Sequence, residues 1–80
     1  MHEAKLCLSL LALAERSRVE AGAARIVALD LAVGAWSGVA PEAFEAAFPV
    51  CAAGTPAAGA ALRIERTPGR DLVLRALEVS

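Results

Sequence analysis

The chain reads as an α+β domain, two helices packed on a small mixed three-stranded sheet in the order α-β-α-β-β. Three observations predict it. Apolar residues recur every three or four positions over residues 3–20 and again at Phe44 and Phe48, the spacing of one helix face. They alternate every second position over residues 25–33 and 60–66, the spacing of a strand. Glycine and proline cluster at 34–38, 54–56 and 67–70, between those segments. Eighty residues make one domain, 1–80, which at this size buries roughly 60% of the surface its unfolded chain exposes.

In the first helix Leu6, Leu10, Leu13 and Ala14, with Cys7 and Leu11 beside them, form the apolar stripe. Glu15, Arg16, Arg18 and Glu20 face solvent, and Gly22 stands where a left-handed cap would end the helix. The strand at 25–33 places Val27, Leu29, Leu31 and Val33 on a buried face, and Ile26, Ala28, Asp30 and Ala32 on the other. If the second face is uncovered, it can meet another copy of the chain, so a homodimer is one expectation. A glycine-bracketed loop with Trp36 follows, and Trp36 reads as a cap on the edge of the core, with docking anchor as its other use. Asp30 is expected to be exposed.

Ala40-Pro41-Glu42 opens the second helix with proline at the tolerated first position, and Pro49 is expected to kink it. Leu62 and Ile64 alternate with Arg63 and Glu65 in the next strand. Thr67-Pro68-Gly69-Arg70 then reads as a hairpin turn, with residues 72–79 as the returning strand. Leu72 and Leu74 share a face with which Leu77 and Val79 fall out of step; one extra residue near Arg75 and Ala76, a β-bulge, restores the phase. The strands flanking the second helix are expected to be parallel and joined right-handedly.

Several functions are disfavoured. Net charge is −1 and the eight basic residues are scattered, so nothing attracts a phosphate backbone and no nucleic-acid partner is expected. The longest apolar run near the start, residues 6–14, is about half a membrane span and lacks a signal-peptide pattern, so a cytoplasmic protein without a membrane partner is expected. His2 is the sole histidine and lies at a terminus, and no serine has a plausible second base, so the chain does not read as an enzyme. Cys7 and Cys51 are too few for a disulfide framework and too distant in sequence to chelate by themselves; they read as small buried hydrophobes.

Met1-His2-Glu3 carries different chemistry. The α-amine, the backbone nitrogen of His2 and its imidazole can close two fused chelate rings, placing three nitrogens nearly in a plane. Square-planar nitrogen and oxygen donors suit Ni(II) and Cu(II), and Glu3, water or a partner group can complete the set. A residue as large as histidine at the second position normally preserves the methionine.

With those residues heading an amphipathic helix, the chain resembles the HypA/HybF family of nickel metallochaperones. Also similar, in order, are the basic-then-apolar strand ending near Gly34, the segment Ser37-Gly38-Val39-Ala40-Pro41-Glu42-Ala43-Phe44 followed by Phe48, the Gly54-Thr55 break, residues 60–65, and the tail at 72–79 with Leu77-Glu78-Val79. The resemblance implies nickel delivery for nickel-iron hydrogenase assembly, with His2 and Glu3 at the metal site and docking to a HypB-like GTPase or the hydrogenase large subunit. The alternative is a metal-independent adaptor docking to the same maturation partners. Family members carry a zinc-binding insertion with paired Cys-x-x-Cys motifs between the last two strands. Here Thr67-Pro68-Gly69-Arg70 stands in that place, so the expectation is a zinc domain replaced by a short hairpin turn near 67–70, with no structural zinc. Pro49 is a second departure from the family pattern.

Overall fold

The computed structural model of the chain describes residues 2–80, the side chain of His2 excepted. Helix α1 (His2–Ala21) is followed by strand β1 (Ile26–Gly34), helix α2 (Pro41–Ala52) and strands β2 (Ala61–Thr67) and β3 (Leu72–Val79), the expected order of elements. The sheet order is β2-β1-β3, with β2 parallel and β3 antiparallel to β1.

Helix α1 ends where its sequence says it should. Gly22 adopts φ 68°, its N–H donates to the Val19 carbonyl at 3.0 Å, and the Ala23 N–H donates to the Arg18 carbonyl at 3.1 Å. Those two bonds are the Schellman pattern, which satisfies carbonyls the helix leaves orphaned. Cys7, Leu10, Leu11 and Ala14 point into the core. Leu13, expected among them, is 45% exposed. At 100° per residue it lies roughly 110° from the centre of that stripe, and Leu11 holds the inward place.

Strand β1 departs from simple alternation. Ile26 pairs with Val79 and Ala28 with Glu78, which leaves Val27 as an extra residue on β1. This bulge turns Ile26 inward (2% exposed) and Val27 outward (44%), reversing the expected assignment of these two residues. From Leu29 onward the expected phase holds, with Leu29, Leu31 and Val33 in the core. On β3, Asp30 pairs with Ala76 and Leu31 with Leu74, so Arg75 is a second extra residue. That is the expected bulge, and it places Leu72, Leu74 and Leu77 against the core together.

The expected hairpin is absent. Strands β2 and β3 do not pair with each other; β1 lies between them, and residues 68–71 cross over its end. The near-continuous burial of β1 suits the centre of a sheet, while β2 and β3, polar on one face, suit its edges. Crossing β1 means covering two strand spacings, on the order of 10 Å, which four residues can span. The crossing is tight. The Gly34 N–H donates to the Asp71 carbonyl at 2.9 Å, the Ala35 N–H to Thr67 at 2.8 Å, and the Trp36 N–H to Gly69 at 2.7 Å. A Cβ at Gly34 would lie 2.5 Å from the Gly69 carbonyl oxygen, 2.8 Å from its carbon and 3.0 Å from the Asp71 nitrogen. Only glycine fits beneath this bridge.

Both helices pack on one face of the sheet, with Phe44 and Phe48 of α2 filling the space beside α1 and β1. Helix α2 runs through Pro49 to Ala52 without ending there. Glu45, whose carbonyl loses its partner to the proline, is exposed to water. Thr55 closes α2: its hydroxyl donates to the Ala52 carbonyl at 2.6 Å and accepts from the Ala57 N–H at 3.1 Å.

The opposite sheet face has small residues, Ala28 and Ala32, in the central strand, and ion pairs reach across them. Arg63 of β2 contacts Asp30 at 3.3 Å and Glu78 of β3 at 2.7 Å, and Arg75 of β3 contacts Glu65 of β2 at 3.3 Å. Asp30 is thus paired and half-exposed, and the alanines beneath are buried at 1% and 3%.

Candidate metal-binding segment

Of the three candidate ligand residues, Met1 and the side chain of His2 lie outside the described residues, so the chelate geometry itself is not described. Glu3 is described and sits half-buried in the first turn of α1. The helix begins at His2, one residue earlier than the periodicity predicts. His2 and Glu3 therefore belong to the first turn of a helix. The first amides of a helix have no carbonyl within it to bind, so the His2 nitrogen is not committed to the helix ladder.

Packing of α1 against α2 brings together residues the sequence keeps 44 positions apart. Cys7 is fully buried on α1 and Cys51 half-buried on α2, and both are free thiols at the contact between the two helices. The Cys7 thiol also approaches the Phe44 carbonyl at 3.9 Å, and the Cys51 thiol the Ala4 carbonyl at 4.0 Å. Burial, the contact with Cys51 and the charge of Glu3 push the Cys7 thiol up to about 11. Cys7 therefore remains protonated at neutral pH. Sequence reasoning missed this pairing because no local spacing encodes it; the inward place of Cys7 was legible, but its partner depends on the helix-helix contact. Among the described residues no group of three or more His, Cys, Asp or Glu side chains is placed to hold a metal ion.

Trp36 does not cap the core. It is 79% exposed and shares a surface hollow with Arg70, while its amide is held by the Gly69 carbonyl. A second hollow of about 380 Å³ runs between Leu8, Leu11 and Ala12 of α1 and the loop from Gly54 to Ala57.

Fold and sequence together define a small α+β domain whose leading turn carries nitrogen and oxygen donors. The family model described as "Hydrogenase/urease nickel incorporation, metallochaperone, hypA" matches residues 1–72, and the chain belongs to that family. A hydrogenase maturation factor HypA of Deinococcus radiodurans is 58% identical over 69 residues, covering 86% of this chain and 58% of that protein. One of Geobacter sulfurreducens is 46% identical over 70 residues, covering 88% and 61%. The chain thus spans about three fifths of the length of these relatives. The solution structure of the Ni metallochaperone HypA from Helicobacter pylori has the same fold, with a TM-score of 0.72 at 15% identity over 98% of this chain and 92% of that one. Among the described residues no helix is long and apolar enough to cross a membrane.

Proposed function

We propose that this chain is a cytoplasmic, non-enzymatic nickel carrier for assembly of the nickel-iron hydrogenase centre. In this reading it takes Ni(II) through the Met1 amine, the backbone nitrogen and imidazole of His2, and Glu3, and hands it on to a partner. The observation that carries the reading is a family match running from residue 1, so that Met1-His2-Glu3 falls inside the matched segment. The start of α1 at His2 supports it, because metal can displace the proton of an amide that supports no helix hydrogen bond. Ni(II) accepts a near-planar set of nitrogen donors of this kind. The receiving partners are a HypB-like GTPase and the hydrogenase large subunit.

The domain in this reading needs no structural zinc: residues 68–71 close the sheet over Gly34 at the place where the family carries its zinc-binding insertion. A metal-independent adaptor is the second reading, and the exposed Trp36 beside Arg70 favours it, since an exposed tryptophan suits a docking anchor. Titrating Ni(II) into the native chain against a competing chelator, alongside capture of the GTPase on the immobilised chain, separates the two. One-to-one nickel binding supports the carrier; capture of the GTPase without nickel binding supports the adaptor.

A further inference from the structure

Ion pairs bridge the sheet face opposite the helices, so the open surfaces of the sheet are its two edges. A strand paired on one side only presents a row of amides and carbonyls to solvent, and such a row accepts another strand unless something interrupts it. The two edges differ. Against β1 the register of β3 shifts twice, once at the extra residue Arg75, and bulges of this kind twist an edge away from further pairing. Strand β2 keeps one register from Ala61 to Thr67, with no bulge and no proline. Among the described residues, no backbone–backbone hydrogen bond outside the sheet uses residues 61–66.

Charge is a common guard on an edge strand, so the signs and spacing of Arg63, Glu65 and Arg66 decide what β2 can accept. Arg63 and Glu65 flank Ile64 on one sheet face, and both are more than half exposed. Suppose a second copy pairs antiparallel with β2 about a two-fold axis at Ile64. Arg63 then stands opposite Glu65 of the second copy, and Glu65 opposite its Arg63, so the pairing of opposite charges occurs twice. Moving the axis to Arg63 or to Glu65 would set that residue against its own copy, and like charges directly opposite are destabilising. The pattern therefore selects one register instead of repelling a copy. On the helix side, Leu62 and Ile64 pack against the core but are only partly buried, and Ile64 meets its counterpart across the axis.

We propose that the free edge of β2 is a docking surface for a second copy of this chain, paired antiparallel about Ile64. Two three-stranded sheets become one of six strands, with the helices of both copies on the same side. A contact made mainly by one seven-residue strand from each copy is smaller than the roughly 1,200–2,000 Å² of stable complexes, so the association is weak and depends on concentration. This inference does not rest on the nickel reading.

The test is sedimentation of the native chain over a hundredfold range of concentration at low salt. The expected mass rises from 8.2 kDa toward twice that value. Arg63→Glu and Glu65→Arg, each checked for folding by circular dichroism, should each stay monomeric, because each sets like charges across the axis twice. An equimolar mixture of the two variants should regain the wild-type association, since every acid then faces a base. Amide exchange of the wild type should slow with concentration in residues 61–67 and not in residues 72–79, and this pattern decides alone if either variant does not fold. A wild-type chain that is monomeric throughout would overturn the proposal and leave the edge to a strand of another protein. So would folded variants that associate as the wild type does, a mixture of them that stays monomeric, or concentration-dependent protection at 72–79 instead.

Discussion

Gly34 is the glycine at which an added Cβ meets other backbone. An added methyl would meet the backbone of Gly69 and Asp71 at 2.5 to 3.0 Å, and no side-chain rotation relieves that. Gly34→Ala should lower stability by about 1–3 kcal/mol, the range for overpacking, measured by urea unfolding. Trp36→Ala should change it by less than about 0.5 kcal/mol, since the side chain is 79% exposed. An unchanged midpoint for the glycine variant would mean that residues 68–71 do not cross where the structure puts them. Glu15 is held below its ordinary value of 4.5 by its hydrogen bonds to Arg18, which also donates to the Ala23 carbonyl at 2.7 Å beyond the helix end. A depressed carboxylate stabilises the fold above its unfolded pKa and loses that contribution as pH falls through its folded one. Acidification below pH 4.5 should therefore weaken the C-terminal end of α1 in the wild type more than in Glu15→Gln, read by amide exchange of residues 18–23.

The elements were legible in the sequence wherever one local signal decided them. Residues 3–20 formed a helix because apolar periodicity and a capping glycine agreed, and Arg75 was readable as a bulge because Leu77 falls out of phase with Leu74. Val27 was not, because unbroken alternation from 25 to 33 fits a flat strand equally well; the shift appears only when β1 pairs with β3. The strand order was also hidden. A four-residue Pro-Gly segment looks the same whether it returns beside its own strand or steps over a neighbour, and what decides is which strand is apolar enough for the centre. The Val27 bulge can be tested directly: Ile26→Ala should cost about 2–4 kcal/mol and Val27→Ala less than about 1 kcal/mol. The reverse ranking would restore simple alternation.

For the molecule as a whole, a core of Cys7, Leu10, Leu11, Leu29, Leu31, Phe44 and Phe48 is assembled without any metal ligand outside the two cysteines. Chelator should therefore leave the melting temperature unchanged; stoichiometric zinc whose removal unfolds the chain would contradict a self-sufficient fold. The candidate site was legible only as a donor pattern, Met1-His2-Glu3, since residues at a helix start are specified by chemistry rather than packing. In the nickel reading the ligands would bind in deprotonated form, so protons would compete with nickel. With ordinary values of about 7.7–8.0 for an α-amine and about 6.5 for imidazole, affinity should fall steeply from pH 8 to pH 6. The most direct test of the nickel reading is calorimetric titration of Ni(II) at pH 8 into the native chain and into one bearing a single extra residue before Met1. The amine is itself a ligand in this account, so the extension should weaken binding by roughly tenfold or more while the fold is retained. Equal affinity for the two chains would exclude the proposed chelate.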